Sequence, residues 1–266
     1  MTTILFLERV VMVTRKSLLY RTNVEYGDYT LNHVLGCSHG CLYPCYAMML
    51  KKRFGDIKNY EDWIQPKLVE NYHELLLEEL PKLKNKINSI HLCFTTDPFM
   101  YKHSNIIEAS EEILRLIAKY NIHATVLTKG LYPDSLKNLP NTFSFGITLI
   151  STNENFRKRM EPGAASYKER IKSLKKMHDF GFNTWVSIEP YPTPNIIEQN
   201  LGNILDQISF VDKIIFGRLN YNKKVKEYNH YQAFYDDCAK KVASFCDNKK
   251  IDYHIKKGTS TIDFGV

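Results

Sequence analysis

Gly36-Cys37-Ser38-His39-Gly40-Cys41-Leu42-Tyr43-Pro44-Cys45-Tyr46-Ala47 gathers three of the chain's six cysteines into nine residues. The two gaps are equal, Cys-x3-Cys and again Cys-x3-Cys. Gly36 and Gly40 let so short a loop curl, because glycine accepts backbone angles that other residues resist. A curled loop can aim three sulfurs at one centre, and three thiolates suit a soft metal or an iron–sulfur cluster. A four-iron cluster ordinarily takes four cysteines. With three, one iron stays open to another ligand, and an open metal position speaks for chemistry more than scaffolding. The competing reading is a zinc knuckle completed by His39 or His33.

The remaining sequence sets the frame. A chain of 266 residues, 44% hydrophobic, fits one large α/β domain or two small ones. It has no apolar run of about 18 residues, so no membrane span is expected. Ile4 to Val13 is broken by Glu8 and Arg9 and lacks the basic start and cleavage site of a signal peptide. Clustered cysteines fit a reducing compartment, and a cytoplasmic monomer is expected. The net charge of +7 permits a nucleic-acid or phosphate-bearing partner without requiring one.

In chain order, Thr30–Leu35 reads as a strand feeding the cysteine loop, and 46–53 as a helix stopped by Gly55. A helix is expected over 67–80, ended by Pro81, with Glu70, Glu74, Glu78 and Glu79 on its solvated face. Strands follow at 89–96, 122–128, 143–150, 184–188, 213–216 and 251–255. Helices are expected at 106–120, 166–180, 195–208 and 231–245, and Lys16 to Tyr20 reads equally as strand or helical turn. Alternating strands and helices give a parallel sheet. Six such units predict an α/β fold, an incomplete (β/α)6 TIM-type barrel, with an open doubly wound sheet as the alternative. The expected organisation is an N-terminal extension over 1–29, the partial barrel over 30–220, and a C-terminal helix and strand over 221–266. In such barrels the site lies at the C-terminal strand ends.

The cysteine loop and the strand ends together resemble the radical S-adenosylmethionine enzymes, and within them the spore photoproduct lyase-like branch. That pattern is Cys-x3-Cys-x2-Cys with an aromatic residue before the last cysteine; here Pro44 is an extra residue between Tyr43 and Cys45. Pro44 is expected to bulge outward, leaving Cys45 as third ligand and Tyr43 or Tyr46 beside the adenine. The resemblance runs from about Asn32 to Tyr191. It implies a [4Fe-4S] cluster on Cys37, Cys41 and Cys45 that holds S-adenosylmethionine (SAM) at its open iron. Cleavage of SAM would then give a 5′-deoxyadenosyl radical that abstracts hydrogen from a substrate. It also implies an electron donor such as flavodoxin or ferredoxin.

Residue by residue, the resemblance assigns Thr96 and Asp97 of Thr-Asp-Pro to the methionine end or ribose of the cofactor, Lys129 to its carboxylate, and Ser151 to cofactor binding. Glu161 is either a cofactor contact or a helix N-terminal charge favoured by the dipole. Glu189-Pro190-Tyr191-Pro192 matches an exit that lines the substrate side. Arg218, after the sixth strand, either binds an anionic substrate or sits at the rim. Spore photoproduct lyases carry a hydrogen-donor cysteine on the second strand; that place falls on Phe94, and strand alternation turns Cys93 to the core. Thymine-dimer repair is therefore not expected. Cys238 and Cys246 read as core thiols, and Lys168, Lys172, Lys175 and Lys176 as a solvated face. The alternative from another class is a non-catalytic, metal-stabilised nucleic-acid-binding module, supported by the charge and 17 tyrosines.

Overall fold

The computed structural model describes residues 11–24 and 26–264. Much of the apolar run Ile4 to Val13, and part of the expected extension, lie outside them. Short apolar runs separated by polar turns give eleven strands: β1 (Val11–Val13), β2 (Leu19–Arg21), β3 (Tyr29–Leu31), β4 (Val34–Leu35), β5 (Lys67–Val69), β6 (Ser89–Leu92), β7 (His123–Thr128), β8 (Ser144–Thr148), β9 (Asn183–Tyr191), β10 (Lys213–Arg218) and β11 (Asp252–Ile255). Eight form one sheet in the order β11-β10-β9-β8-β7-β6-β3-β2. Every neighbouring pair from β3 to β11 is parallel; β2 joins β3 antiparallel, Leu19 opposite Leu31. The outer strands β2 and β11 do not pair with each other, so the barrel is incomplete and open.

Burial on β7 explains how the sheet frames a site. Ala124, Val126 and Thr128 are buried on one face, against the helical layer, while His123, Thr125 and Leu127 alternate on the other and are only partly covered. That second face lines hollow space: Leu127 borders a cavity at the C-terminal strand ends, and His123 and Thr125 border another at the N-terminal ends. The helix Ser104–Lys119 buries Ile106, Ile113, Leu114 and Ile117. The helix Tyr167–Asp179 begins with a capping box, Ser166 and Glu169 exchanging side-chain and backbone bonds. Its lysines Lys168, Lys172 and Lys175 are exposed and Lys176 partly so, while Tyr167, Leu174 and Met177 are buried. Cys238 and Cys246 are buried thiols of the last helix.

Several boundaries differ from the sequence reading. The strand expected at 30–35 is split at Asn32 and His33: β4 leaves the main sheet and pairs with β5, which pairs in turn with β1. Asn32 is held where it breaks the strand, its Oδ1 accepting from the Thr95 amide and hydroxyl, each at 3.0 Å. The expected helix 67–80 is β5 followed by a helix at Tyr72–Leu83, with Pro81 inside it. Pro81 is exposed and sits in the last turn, where the chain tolerates it. Glu79 is not a solvated charge; its carboxylate accepts from the amides of Leu18 and Leu19 and anchors β2. The helix expected over 195–208 is confined to Leu201–Gln207, capped by Asn200. The helix Glu154–Met160 was not foreseen, although Asn153 caps it through the Phe156 amide. Among the described residues, no helix is long and apolar enough to cross a membrane.

Candidate functional site

The cysteine loop is clamped by backbone. The Cys37 amide donates to Trp63 O at 2.8 Å, Leu42 to Met160 O at 2.8 Å, and Gly163 to His39 O at 3.1 Å. Gly36 has φ +80°, and a Cβ there would lie 2.7 Å from Trp63 O. A Cβ on Gly163 would lie 2.0 Å from Ser38 O, so the segment after Met160 closes on the loop only because it carries glycine. Past Pro44, Cys45 occupies the N-cap of the helix Tyr46–Arg53 in extended backbone. Cys37, Cys41 and Cys45 line one cavity of about 480 Å³.

The donor set, three thiols of one loop, is of the kind that holds an iron–sulfur cluster. Burial pushes the Cys41 thiol up to about 12 and the Cys37 thiol well above its ordinary value, so each holds its proton unless a metal cation replaces it. Among the described residues, no three His, Cys, Asp or Glu side chains converge as they would around one ion. The histidines that would complete a zinc knuckle are otherwise engaged. His39 Nε2 accepts from the Tyr101 amide at 3.1 Å, leaving Nδ1–H for the Asp97 carboxylate at 3.3 Å. His33 Nε2 bonds Ser110 Oγ at 2.8 Å, and its Nδ1 lies 3.3 Å from Cys93 Sγ.

Asp97 ties this loop to the strand ends. Besides His39, its carboxylate accepts from the Phe99 amide at 3.0 Å, the Thr128 hydroxyl at 2.6 Å and the Lys129 amide at 2.8 Å. Burial alone would raise its pKa; the His39 ring and these donors outweigh it and hold the carboxyl below its ordinary value. Asp97 borders the cavity, but its oxygens are spent on the protein. Thr96 borders the cavity as well and donates to Val34 O at 3.2 Å.

Glu161 builds the second anchor. It is fully buried at the C-terminal end of the helix Glu154–Met160, which overturns the reading of it as a helix N-terminal charge. Its Oε2 accepts from Arg170 Nη2 at 2.7 Å, and its Oε1 from the Tyr43 hydroxyl at 2.8 Å, with Lys129 Nζ 4.0 Å away. Arg170, also buried, donates on to Ala165 O and Thr148 O. Burial opposes ionisation of Glu161, and Arg170 and Lys129 overcome it, holding the carboxyl below its ordinary value. Lys129 and Arg170 both face the Glu161 carboxylate, and the Asp97 carboxylate lies at the same strand ends. Lys129 is the cation that borders the cavity, 5.8 Å from the Tyr43 ring centre. Tyr43 is buried and committed to Glu161, whereas Tyr46, 48% exposed, stands at the mouth beside Phe94.

Ser151 is placed apart from these groups: it is buried outside the cavity wall, and its Oγ accepts from the Asn153 amide at 3.1 Å. Cys93 is buried against Val34, Leu68 and Met100, and borders the cavity beside Phe94. The far wall carries Tyr26, Glu189, Arg218, Asn220, Tyr221 and Lys256. There Lys256 Nζ lies 3.4 Å from Glu189 Oε2. The Arg170 and His39 contacts and the Lys256–Glu189 pair were not legible beforehand.

Residues 31–208, which carry the cysteine loop, Asp97, Lys129, Glu161 and Arg170, match the family model described as Radical SAM superfamily. The chain belongs to the Radical SAM superfamily. This radical SAM chain is 25% identical over 225 residues to an uncharacterized protein of Methanocaldococcus jannaschii, covering 84% of the chain and 82% of that protein. It is 25% identical over 190 residues to an uncharacterized protein of Acidianus two-tailed virus, covering 68% of the chain and 61% of the relative. Among solved structures it is similar to spore photoproduct lyase complexed with dinucleoside spore photoproduct. The TM-score is 0.66 at 12% identity, over 92% of this chain and 81% of that one. A spore photoproduct lyase mutant with bound AdoMet and dinucleoside spore photoproduct gives a TM-score of 0.67, also at 12% identity, over 92% and 80% of the two chains. At that identity the likeness is one of fold.

Proposed function

We propose that this radical SAM chain is an enzyme whose Cys37, Cys41 and Cys45 hold a [4Fe-4S] cluster and whose Lys129 binds the carboxylate of SAM. The observation that carries this reading is the cavity wall that unites the Cys37, Cys41 and Cys45 thiols with the Lys129 ammonium. When bound, the cluster and SAM supply a 5′-deoxyadenosyl radical for hydrogen abstraction. The chain's own residues position and enclose. Asp97 and Glu161 fix the loop and the third strand end in one frame; Lys129 offers an ammonium to a carboxylate in a partly dry site; Thr96 and Tyr46 border the space beside it. The half-barrel walls keep water from the reacting centre. An acidic one-electron donor such as flavodoxin or ferredoxin is the proposed reductant.

The substrate is read more coarsely. Spore photoproduct lyase, the relative in fold, is seen with a dinucleoside photoproduct, so nucleic acid is one candidate. Dimer repair is not proposed: the expected hydrogen-donor place holds Phe94, and the Cys93 thiol is engaged by His33. The test is anaerobic reconstitution with iron and sulfide, followed by SAM and reductant. A brown protein that releases 5′-deoxyadenosine is expected, with loss of iron in Cys37→Ala, Cys41→Ala and Cys45→Ala. A colourless protein, or full iron retention in all three variants, would end the reading.

A further inference from the structure

Opposite Lys129, the cavity has a second cation. Arg218 closes β10 at the C-terminal strand ends and is half-buried in the cavity wall. Its Nε donates to Asn220 Oδ1 at 2.9 Å, and its own amide donates to Thr259 Oγ1 at 3.2 Å. These two bonds fix the backbone and one edge of the guanidinium. Gly258, at φ +77°, lets the following loop pass beside Nη2, where a Cβ would lie 3.9 Å away. Among the described residues, no carboxylate forms an ion pair with Arg218. Glu189, on the same wall, has Lys256 Nζ 3.4 Å from its Oε2.

An arginine oriented by an amide and bordering a cavity, its Nη groups making no hydrogen bond among the described residues, has the geometry of a fork for a two-oxygen anion. The volume sharpens the point. A cavity of about 480 Å³ is the size of one drug-sized ligand. With SAM against Lys129, a substrate fits only by inserting part of itself from the mouth, which the exposed Tyr46 and Tyr221 flank.

We infer that Arg218 is a substrate-binding residue that receives an oxyanion, phosphate or carboxylate, of a substrate that reaches the cavity from the Tyr46–Tyr221 mouth. This rests on the proposed SAM site in one respect, namely that the opposite wall belongs to the cofactor.

The test uses the full chain, anaerobically reconstituted and saturated with SAM, titrated with inorganic phosphate and with acetate by calorimetry at fixed ionic strength. At least one anion should bind, phosphate alone pointing to a phosphate-bearing substrate and acetate to a carboxylate. Arg218→Gln should weaken that anion about ten- to a hundredfold, the scale of a charge-assisted bond. Arg218→Lys, which keeps the charge and loses the fork, should recover only part of it. Asn220→Leu should weaken it several-fold with no change of charge. Iron content and SAM affinity should stay at wild-type values in all three, confirming that the variants fold. Equal anion binding in wild type and Arg218→Gln, full recovery by Arg218→Lys, or no binding of either anion would overturn the inference. Failure of the wild-type chain to take up iron or SAM would instead overturn the cofactor reading, and the same titrations without SAM would still report on Arg218.

Discussion

Replacing Glu161 by Gln probes the buried anchor most directly. The substitution keeps the shape and removes the charge. Its single amide oxygen can replace only one carboxylate oxygen: accepting from Tyr43, it leaves the amide nitrogen facing Arg170 Nη2, donor against donor, across what is now a 2.7 Å bond, and accepting from Arg170, it turns the nitrogen toward Tyr43 and Lys129; either way the buried cations lose their counter-charge. Breaking a buried ion pair from one side costs about 3–5 kcal/mol, because the surviving charge stays buried. Arg170 keeps its bonds to Ala165 O at 2.9 Å and Thr148 O at 3.0 Å, which places the loss near the lower end, about 3 kcal/mol. For a domain of this size that corresponds to a fall in Tm of about 6–12 °C. Urea unfolding and calorimetric melting of the wild type and Glu161→Gln measure it. The double variant Glu161→Leu with Arg170→Met, apolar and close in volume, should recover most of the loss. A loss below about 1 kcal/mol for Glu161→Gln, or no recovery in the double variant, would refute the claim that the charge pair holds this wall.

Lys129→Ala should weaken SAM binding to the reconstituted protein by about 1.5–3 kcal/mol, and unchanged calorimetric affinity would remove the lysine from the site. Gly163→Ala drives a Cβ onto Ser38 O and should displace the cysteine loop, lowering stability by about 1–3 kcal/mol and reducing iron uptake; full iron uptake at wild-type stability would show that the contact yields freely. Burial pushes His33 from 6.5 down to about 3, so the folded chain keeps it neutral while the unfolded chain takes up a proton. Its contribution is complete above pH 6.5 and declines as the pH falls toward 3, by up to about 1.4 kcal/mol per pH unit. Urea unfolding between pH 7.5 and 5 should show this slope, and His33→Gln should flatten it; an equal slope in both proteins would rule His33 out as the source.

The order of strands and helices was legible because each buried run carries its own periodicity and each stop its own glycine or capping residue. Gly55 after the first helix and Ser166 with Glu169 before another are local signals that need no tertiary context. The boundaries that failed lie where a side chain answers to something distant. Asn32 breaks its strand to meet Thr95, Glu79 leaves the solvated face for the amides of Leu18 and Leu19, and Pro81 stays helical because it sits exposed in a last turn.

The candidate site divides in the same way. Spacing marks Cys37, Cys41 and Cys45 as a candidate ligand set, since loop ligands are close in sequence, whereas Lys129 was singled out only by resemblance to the radical SAM enzymes. Sequence could not show which side chains His39 and Glu161 bond. Those answers depend on partners 58 residues from His39 and 118 from Glu161, namely Asp97 and Tyr43. A charge's role is set by what lies within a few ångströms of it, and for groups joined across a parallel sheet only the folded chain determines that neighbourhood.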